Sequence, residues 1–125
     1  MKKLLLIACL ACASVAFSQD KTGIDFKDVK HSFGKVPQGK PVTTEFTFTN
    51  ATAKPLIVEV ATAECGCTTP DYPKEPIMKG KTGTIKVTYN AANPGHFEKK
   101  VTVKFANVNE PVVLTIDGDV ETKTK

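Results

Sequence analysis

The stretch Val42-Thr43-Thr44-Glu45-Phe46-Thr47-Phe48-Thr49-Asn50 decides the fold. Val42, Thr44, Phe46 and Phe48 fall on one side of an extended chain, and Thr43, Glu45, Thr47 and Thr49 on the other. Alternation with a period of two over this length describes a strand with one face buried and one in water. Turn residues bound it on both sides. Pro37-Gln38-Gly39-Lys40 precedes it, and Asn50-Ala51-Thr52-Ala53-Lys54-Pro55 follows.

The same pattern repeats outward from this strand. Upstream lie a brief strand at Ile24-Asp25-Phe26 and a longer one over residues 29–36, which holds His31, Phe33 and Val36. Downstream, Leu56, Val58 and Val60 are expected to face inward, with Ile57 and Glu59 opposite. Pro70, Pro73 and Pro76 remove three ladder donors from residues 68–79, so that segment reads as a loop or an irregular crossover anchored by Ile77 and Met78. Ile85, Val87 and Tyr89 mark the next strand. Phe97, Val101, Val103 and Phe105 line another, with Lys99 interrupting its apolar face, so its start is expected to be exposed. Asn107-Val108-Asn109-Glu110-Pro111 makes a hairpin turn into a last strand over residues 112–120, with Leu114 and Ile116 inward. No window carries a helical period. About seven short strands in one small chain predict an all-β, immunoglobulin-like antiparallel β-sandwich over residues 24–120. Tryptophan is absent, and the two late cysteines are two positions apart. An antibody-type disulfide between the sheets is therefore excluded.

The front end reads differently. Met1-Lys2-Lys3 is followed by the apolar run Leu4-Leu5-Leu6-Ile7-Ala8-Cys9-Leu10-Ala11-Cys12-Ala13. A basic start and a short apolar run make a secretory signal peptide. The run is too short to span a membrane, which takes about 20 residues. Ala16-Phe17-Ser18 fits a small-x-small cleavage site, giving a signal over residues 1–18, a cut between Ser18 and Gln19, and a short polar lead over residues 19–23. Leu6-Ile7-Ala8-Cys9 also resembles a lipoprotein box. Only eight residues precede Cys9, which leaves almost no apolar region, and Cys12 has a poorer box. A lipid anchor is the less favoured reading. Residues 121–125 form a C-terminal tail.

Composition removes several function classes. The chain carries 17 basic residues, all lysine, and a net charge of +4 that loses Lys2 and Lys3 with the leader. Arginine is the usual choice for bidentate phosphate recognition, so an arginine-free chain with scattered lysines argues against a nucleic-acid binder. Ser32 is the one serine after Gln19, and no Gly-x-Ser-x-Gly surrounds it. Neither a P-loop nor a dinucleotide fingerprint occurs. Asp117 and Asp119 bracket Gly118 but lack the further acids of a calcium loop. No catalytic residue, cofactor or metal site is expected.

Cys65-Gly66-Cys67 is the remaining candidate. On a strand, residues i and i+2 share a side, so the sulfurs are expected to be neighbours, with Gly66 letting the backbone bend to bring them closer. Four readings stand open: a disulfide or thiol pair of local structural role, a redox-active dithiol, a soft-metal site, or two unpaired packed thiols. A closed zinc site needs four ligands, and His31, His96 and Met78 sit at no telling spacing; copper(I) can accept two thiolates. His31 and His96 each lie beside a turn and read as solvated surface residues, unless the loop of His96 shares an end of the sandwich with the cysteines.

Read together, several stretches carry a resemblance: His31-Ser32-Phe33-Gly34-Lys35-Val36 with Gly39; Phe46-x-Phe48-x-Asn50; Pro55-Leu56-Ile57-Val58; Cys65-Gly66-Cys67-Thr68; Gly80-x-x-Gly83 leading into Ile85-x-Val87-x-Tyr89; Gly95-x-Phe97; and Leu114-x-Ile116-x-Gly118-x-Val120. The chain resembles the secreted bacterial domain-of-unknown-function family 1573. That family is similar in architecture to immunoglobulin-like domains of the major sperm protein and Hydin type. Lys79 stands where the family often has proline. The resemblance implies an envelope location and a β-sandwich, and no reaction. The function expected is a structural or protein-interaction module in the periplasm or outside the cell, with an envelope protein as partner. The alternative is a periplasmic thiol-redox or copper(I)-binding protein using Cys65 and Cys67. Mass spectrometry of the exported chain is expected to find Gln19 as its first residue; a lipid on Cys9 or Cys12 would replace that reading.

Overall fold

The computed structural model describes residues 23–122. The leader, the Ser18–Gln19 cut, Cys9, Cys12, the polar lead before Gly23 and the last three residues lie outside the described residues. Eight strands are described: β1 (Ile24–Phe26), β2 (Lys30–Pro37), β3 (Val42–Asn50), β4 (Val58–Ala63), β5 (Thr68–Asp71), β6 (Thr82–Tyr89), β7 (Gly95–Phe105) and β8 (Val112–Glu121). They form two four-stranded sheets, ordered β1-β3-β6-β5 and β2-β8-β7-β4. The apolar faces of both sheets close on one core built around Phe46, Phe48, Ile85, Val87, Val101, Val103, Phe105, Leu114 and Ile116. This is the all-β, immunoglobulin-like sandwich that the alternation in β3 predicts.

Aromatic rings fill the two ends of the core. Phe48 meets Phe105 edge-on at 5.3 Å and Phe26 at 5.2 Å. At the other end Tyr89 stacks on Phe97 at 3.9 Å. Edge-on pairs such as Phe48 with Phe105 add to the burial of the rings themselves.

Several expectations need correction. Thr68–Asp71, read as part of a proline-rich loop, is a strand. It pairs only with β6 and lies at a sheet edge. An edge strand can hold Pro70 because the proline's missing N–H can face outward. The sandwich is also not wholly antiparallel, since β2 runs parallel to β8. The two are far apart in sequence, so no hairpin forces their direction. Val60 does not face inward. A register irregularity between Val58 and Val60 turns Val60 out, leaving it 40% exposed, and brings Ala61 and Ala63 against the core. Ile77 anchors the segment after β5 through a bridge to Leu56, while Met78 stays exposed. β7 does begin exposed, at Gly95 and His96, as expected, and Lys99 is half-buried within it.

Asn50, at the end of β3, is fully buried. Its Nδ2 donates to the carbonyls of Lys54 and Ile77, both at 2.8 Å. Its Oδ1 accepts from the Thr52 amide at 2.9 Å and from the Thr52 hydroxyl. Its backbone donates to Lys81 and accepts from Gly80. One side chain thus ties the β3–β4 turn to the segment that enters β6. Asn50→Leu would keep the volume but leave several buried polar groups without partners. It is expected to cost at least about 2 kcal/mol, read as a lower midpoint in urea unfolding.

Candidate functional site

The chain changes sheets between β4 and β5, and Cys65-Gly66-Cys67 makes that change. The ladder between β4 and β7 runs one residue past Ala63: the Glu64 amide donates to the Lys100 carbonyl at 3.2 Å, and the Lys100 amide donates back to Glu64 Oε1 at 2.9 Å. A turn follows, with the Thr68 amide donating to the Cys65 carbonyl at 3.4 Å. The Cys67 carbonyl accepts from the Asn90 amide at 2.9 Å, which ties the turn to the start of the β6–β7 loop. That loop is itself fixed by Asn90, whose Oδ1 accepts from the Ala92 amide at 3.0 Å. The enclosed Ala91 is buried and adopts a φ of 56°.

Cys65 and Cys67 are a close pair with Cα atoms 5.3 Å apart, inside the range that a disulfide spans. Both are half-buried, and Cys67 packs against the core. They sit in a turn and not on a strand, so their proximity comes from the turn and not from a shared strand face. Gly66 is not needed to reach it: its φ is ordinary, and a Cβ placed there would meet nothing within 4 Å. The buried Thr68 hydroxyl lies 3.9 Å from Cys65 Sγ and 3.7 Å from Cys67 Sγ. Sequence reasoning quoted Thr68 within the motif and gave it no role. The sequence offers no signal for it, because the strand that turns Thr68 inward appears only in the folded chain.

The structure does not bring the other candidates to the pair. The His31 ring meets Phe33 edge-on at 4.8 Å. His96 Nδ1 lies 3.1 Å from Asp119 Oδ1 on the outer face of the second sheet, although its loop does begin beside Cys67. Met78 sits beside the Leu56–Ile77 bridge, at the Asn50 end of the sandwich. Among the described residues no group of three or more His, Cys, Asp or Glu is placed to hold a metal ion. Asp117 faces out toward β2, opposite Ser32. The Ser32 hydroxyl, and then Lys30 with its ammonium 3.6 Å away, hold the Asp117 carboxyl below the usual range against partial desolvation.

The family model for a protein of unknown function (DUF1573) matches residues 24–120. No curated protein matches the sequence. Among solved structures, a protein of unknown function from Porphyromonas gingivalis is 11% identical with a TM-score of 0.67, over 77% of this chain and 46% of that one. The chain therefore spans under half the length of that relative. The ASH/PapD-like domain 7 of human CEP192 is 7% identical with a TM-score of 0.70, over 92% of this chain and 99% of that domain. The VesB protease of Vibrio cholerae is 17% identical with a TM-score of 0.61, over 78% of this chain and 32% of the protease. At these identities the likeness is one of fold.

A depressed carboxyl pKa contributes stability above its ordinary value of 3.8, and that contribution is lost as pH falls through the lower folded value. Ser32→Ala is expected to raise the Asp117 pKa toward the ordinary value and to begin that loss at higher pH, as followed by NMR titration of the carboxyl carbon.

Proposed function

The chain belongs to the protein family of unknown function DUF1573, and from that premise we propose that it is an exported binding module of the cell envelope and not an enzyme. The basic start and apolar run of residues 1–18 support export. The sequence carries none of the nucleophile or nucleotide motifs named above, which supports a binding role. No helix among the described residues is long and apolar enough to cross a membrane.

The observation that carries the reading is the edge strand β4. Three of the four sheet edges are blunted. β1 has three residues. β2 is broken by an irregularity between Ser32 and Lys35, carries Lys30 and Lys35, and ends at Pro37. β5 has four residues, one of them Pro70. Lysine, proline, short length and irregularity are the means by which sheets resist pairing with other chains. β4 is six residues long and contains neither lysine nor proline, and its one irregularity, between Val58 and Val60, lies at its start and leaves Val60 to Ala63 in regular register. Val60 on its outer surface is 40% exposed, and Ile57, the residue before the strand, is 42% exposed. An extended apolar segment of an envelope protein can add along such an edge, its backbone pairing with β4 and its side chains meeting Ile57 and Val60.

A photocrosslinking side chain at Ile57 is expected to give discrete adducts in envelope extracts. Val60→Lys in the same chain is expected to remove them without lowering the thermal midpoint, because Val60 is exposed. The same crosslinker at Thr84, on the outer face of the other sheet, is the comparison. Equal adducts at both positions, or none at Ile57, would sink the proposal.

A further inference from the structure

Three motif glycines differ in what the fold asks of them. A Cβ on Gly83 would lie 2.5 Å from the Phe48 ring. A Cβ on Gly118 would lie 2.8 Å from the Phe97 ring and 2.9 Å from the Gly34 carbonyl oxygen. Both are glycine because a neighbour occupies the space. Gly66 has an ordinary φ and open space around it. Its effect is on access: no side chain stands between the two cysteines on the outer side of the turn.

The surroundings treat the two sulfurs unequally. Cys67 packs against the core, whereas Cys65 does not. The Thr68 hydroxyl is buried and lies nearer Cys67, at 3.7 Å. The backbone on each side is pinned, at Glu64 by Lys100 and at Cys67 by Asn90. Opening a sulfur–sulfur bond here leaves the cysteines side by side and able to close again. The ring joins residues only two apart. A loop that short removes little chain entropy from the unfolded state, so the fold gains little by keeping it closed.

We propose that Cys65 and Cys67 form an exchangeable disulfide that accepts electrons from thiols, with Cys65 the sulfur attacked, Cys67 the leaving group and Thr68 the positioning residue. An incoming thiolate bonds to Cys65 Sγ. The bond between the two cysteine sulfurs breaks, and its electron pair leaves on Cys67 as a thiolate. The Thr68 hydroxyl donates a hydrogen bond to that thiolate. A second thiolate attacks the incoming sulfur of the mixed disulfide and releases Cys65 as a thiolate. Both cysteines then take the protons that the two donor thiols gave up. The donors become one disulfide, and two electrons and two protons pass to the pair. The proposal does not depend on docking at β4.

The test uses the folded, oxidised full chain, with the free thiols alkylated and weighed after timed exposure to reduced glutathione or to a two-cysteine peptide. The pair is expected to be reduced at least about tenfold faster than the linear disulfide of N-acetylcysteine under the same conditions, as labile disulfides are. Oxidation of the peptide alone would place the donor among protein dithiols; oxidation of glutathione as well would place it among thiols generally. With an aromatic disulfide as probe, Cys67→Ser, which leaves Cys65 free, should react several-fold faster than Cys65→Ser. Thr68→Val should slow reduction several-fold, and Thr68→Ser should restore it, which a packing role alone would not give. The proposal is overturned if the pair is reduced no faster than the linear disulfide of N-acetylcysteine, if the two single-cysteine variants react alike, or if Thr68→Ser fails to restore the rate.

Discussion

The hydrogen bonds of the buried Asn50 side chain hold together the end of the sandwich where the chain twice enters a new strand. Two donors reach the carbonyls of Lys54 and Ile77, and one oxygen receives the Thr52 amide and hydroxyl. An amide is suited to this because it both donates and accepts from one planar group. Buried polar groups without partners are costly, so the arrangement is strongly specified. It places the turn after β3 and the bridge between Leu56 and Ile77. Those two features lie just before β4 and β6 in the chain.

The close packing around Asn50 extends that constraint. Phe48 is fully buried and its ring lies over Gly83, where even a methyl group would collide. At the opposite end Phe97 occupies the space over Gly118, with Tyr89 stacked against it. Packing and buried hydrogen bonds thus account for the residue types at these positions. Asn50, Gly83 and Gly118 build the sandwich. Cys65, Gly66 and Cys67 are different, because the turn would close without glycine at its centre.

That difference gives the molecule two separate surfaces. The β4 edge offers unpaired backbone flanked by Ile57 and Val60. The crossover that follows the same strand presents two half-buried sulfurs, one backed by the core and by a buried hydroxyl. The edge comes from sheet order and the sulfur pair from a turn pinned between Lys100 and Asn90.

Most of the sandwich was legible in the chain itself. Period-two alternation marks β3, β6, β7 and β8, because a strand between core and water must place apolar groups on one side only. Within residues 24–120 the two cysteines are only two positions apart, which ruled out a disulfide between the sheets. The order of strands was not legible, because pairing partners are chosen by contacts far apart in sequence. So the parallel β2–β8 pair, the strand at Thr68–Asp71 and the outward turn of Val60 appear only in three dimensions. The sequence could name Cys65 and Cys67 as neighbours, since two residues of chain cannot separate them far. Only the tertiary structure decided what surrounds them: Thr68 beneath, Asn90 alongside and open space above Gly66. Those surroundings come from strands and loops that meet only when both sheets have closed on the core.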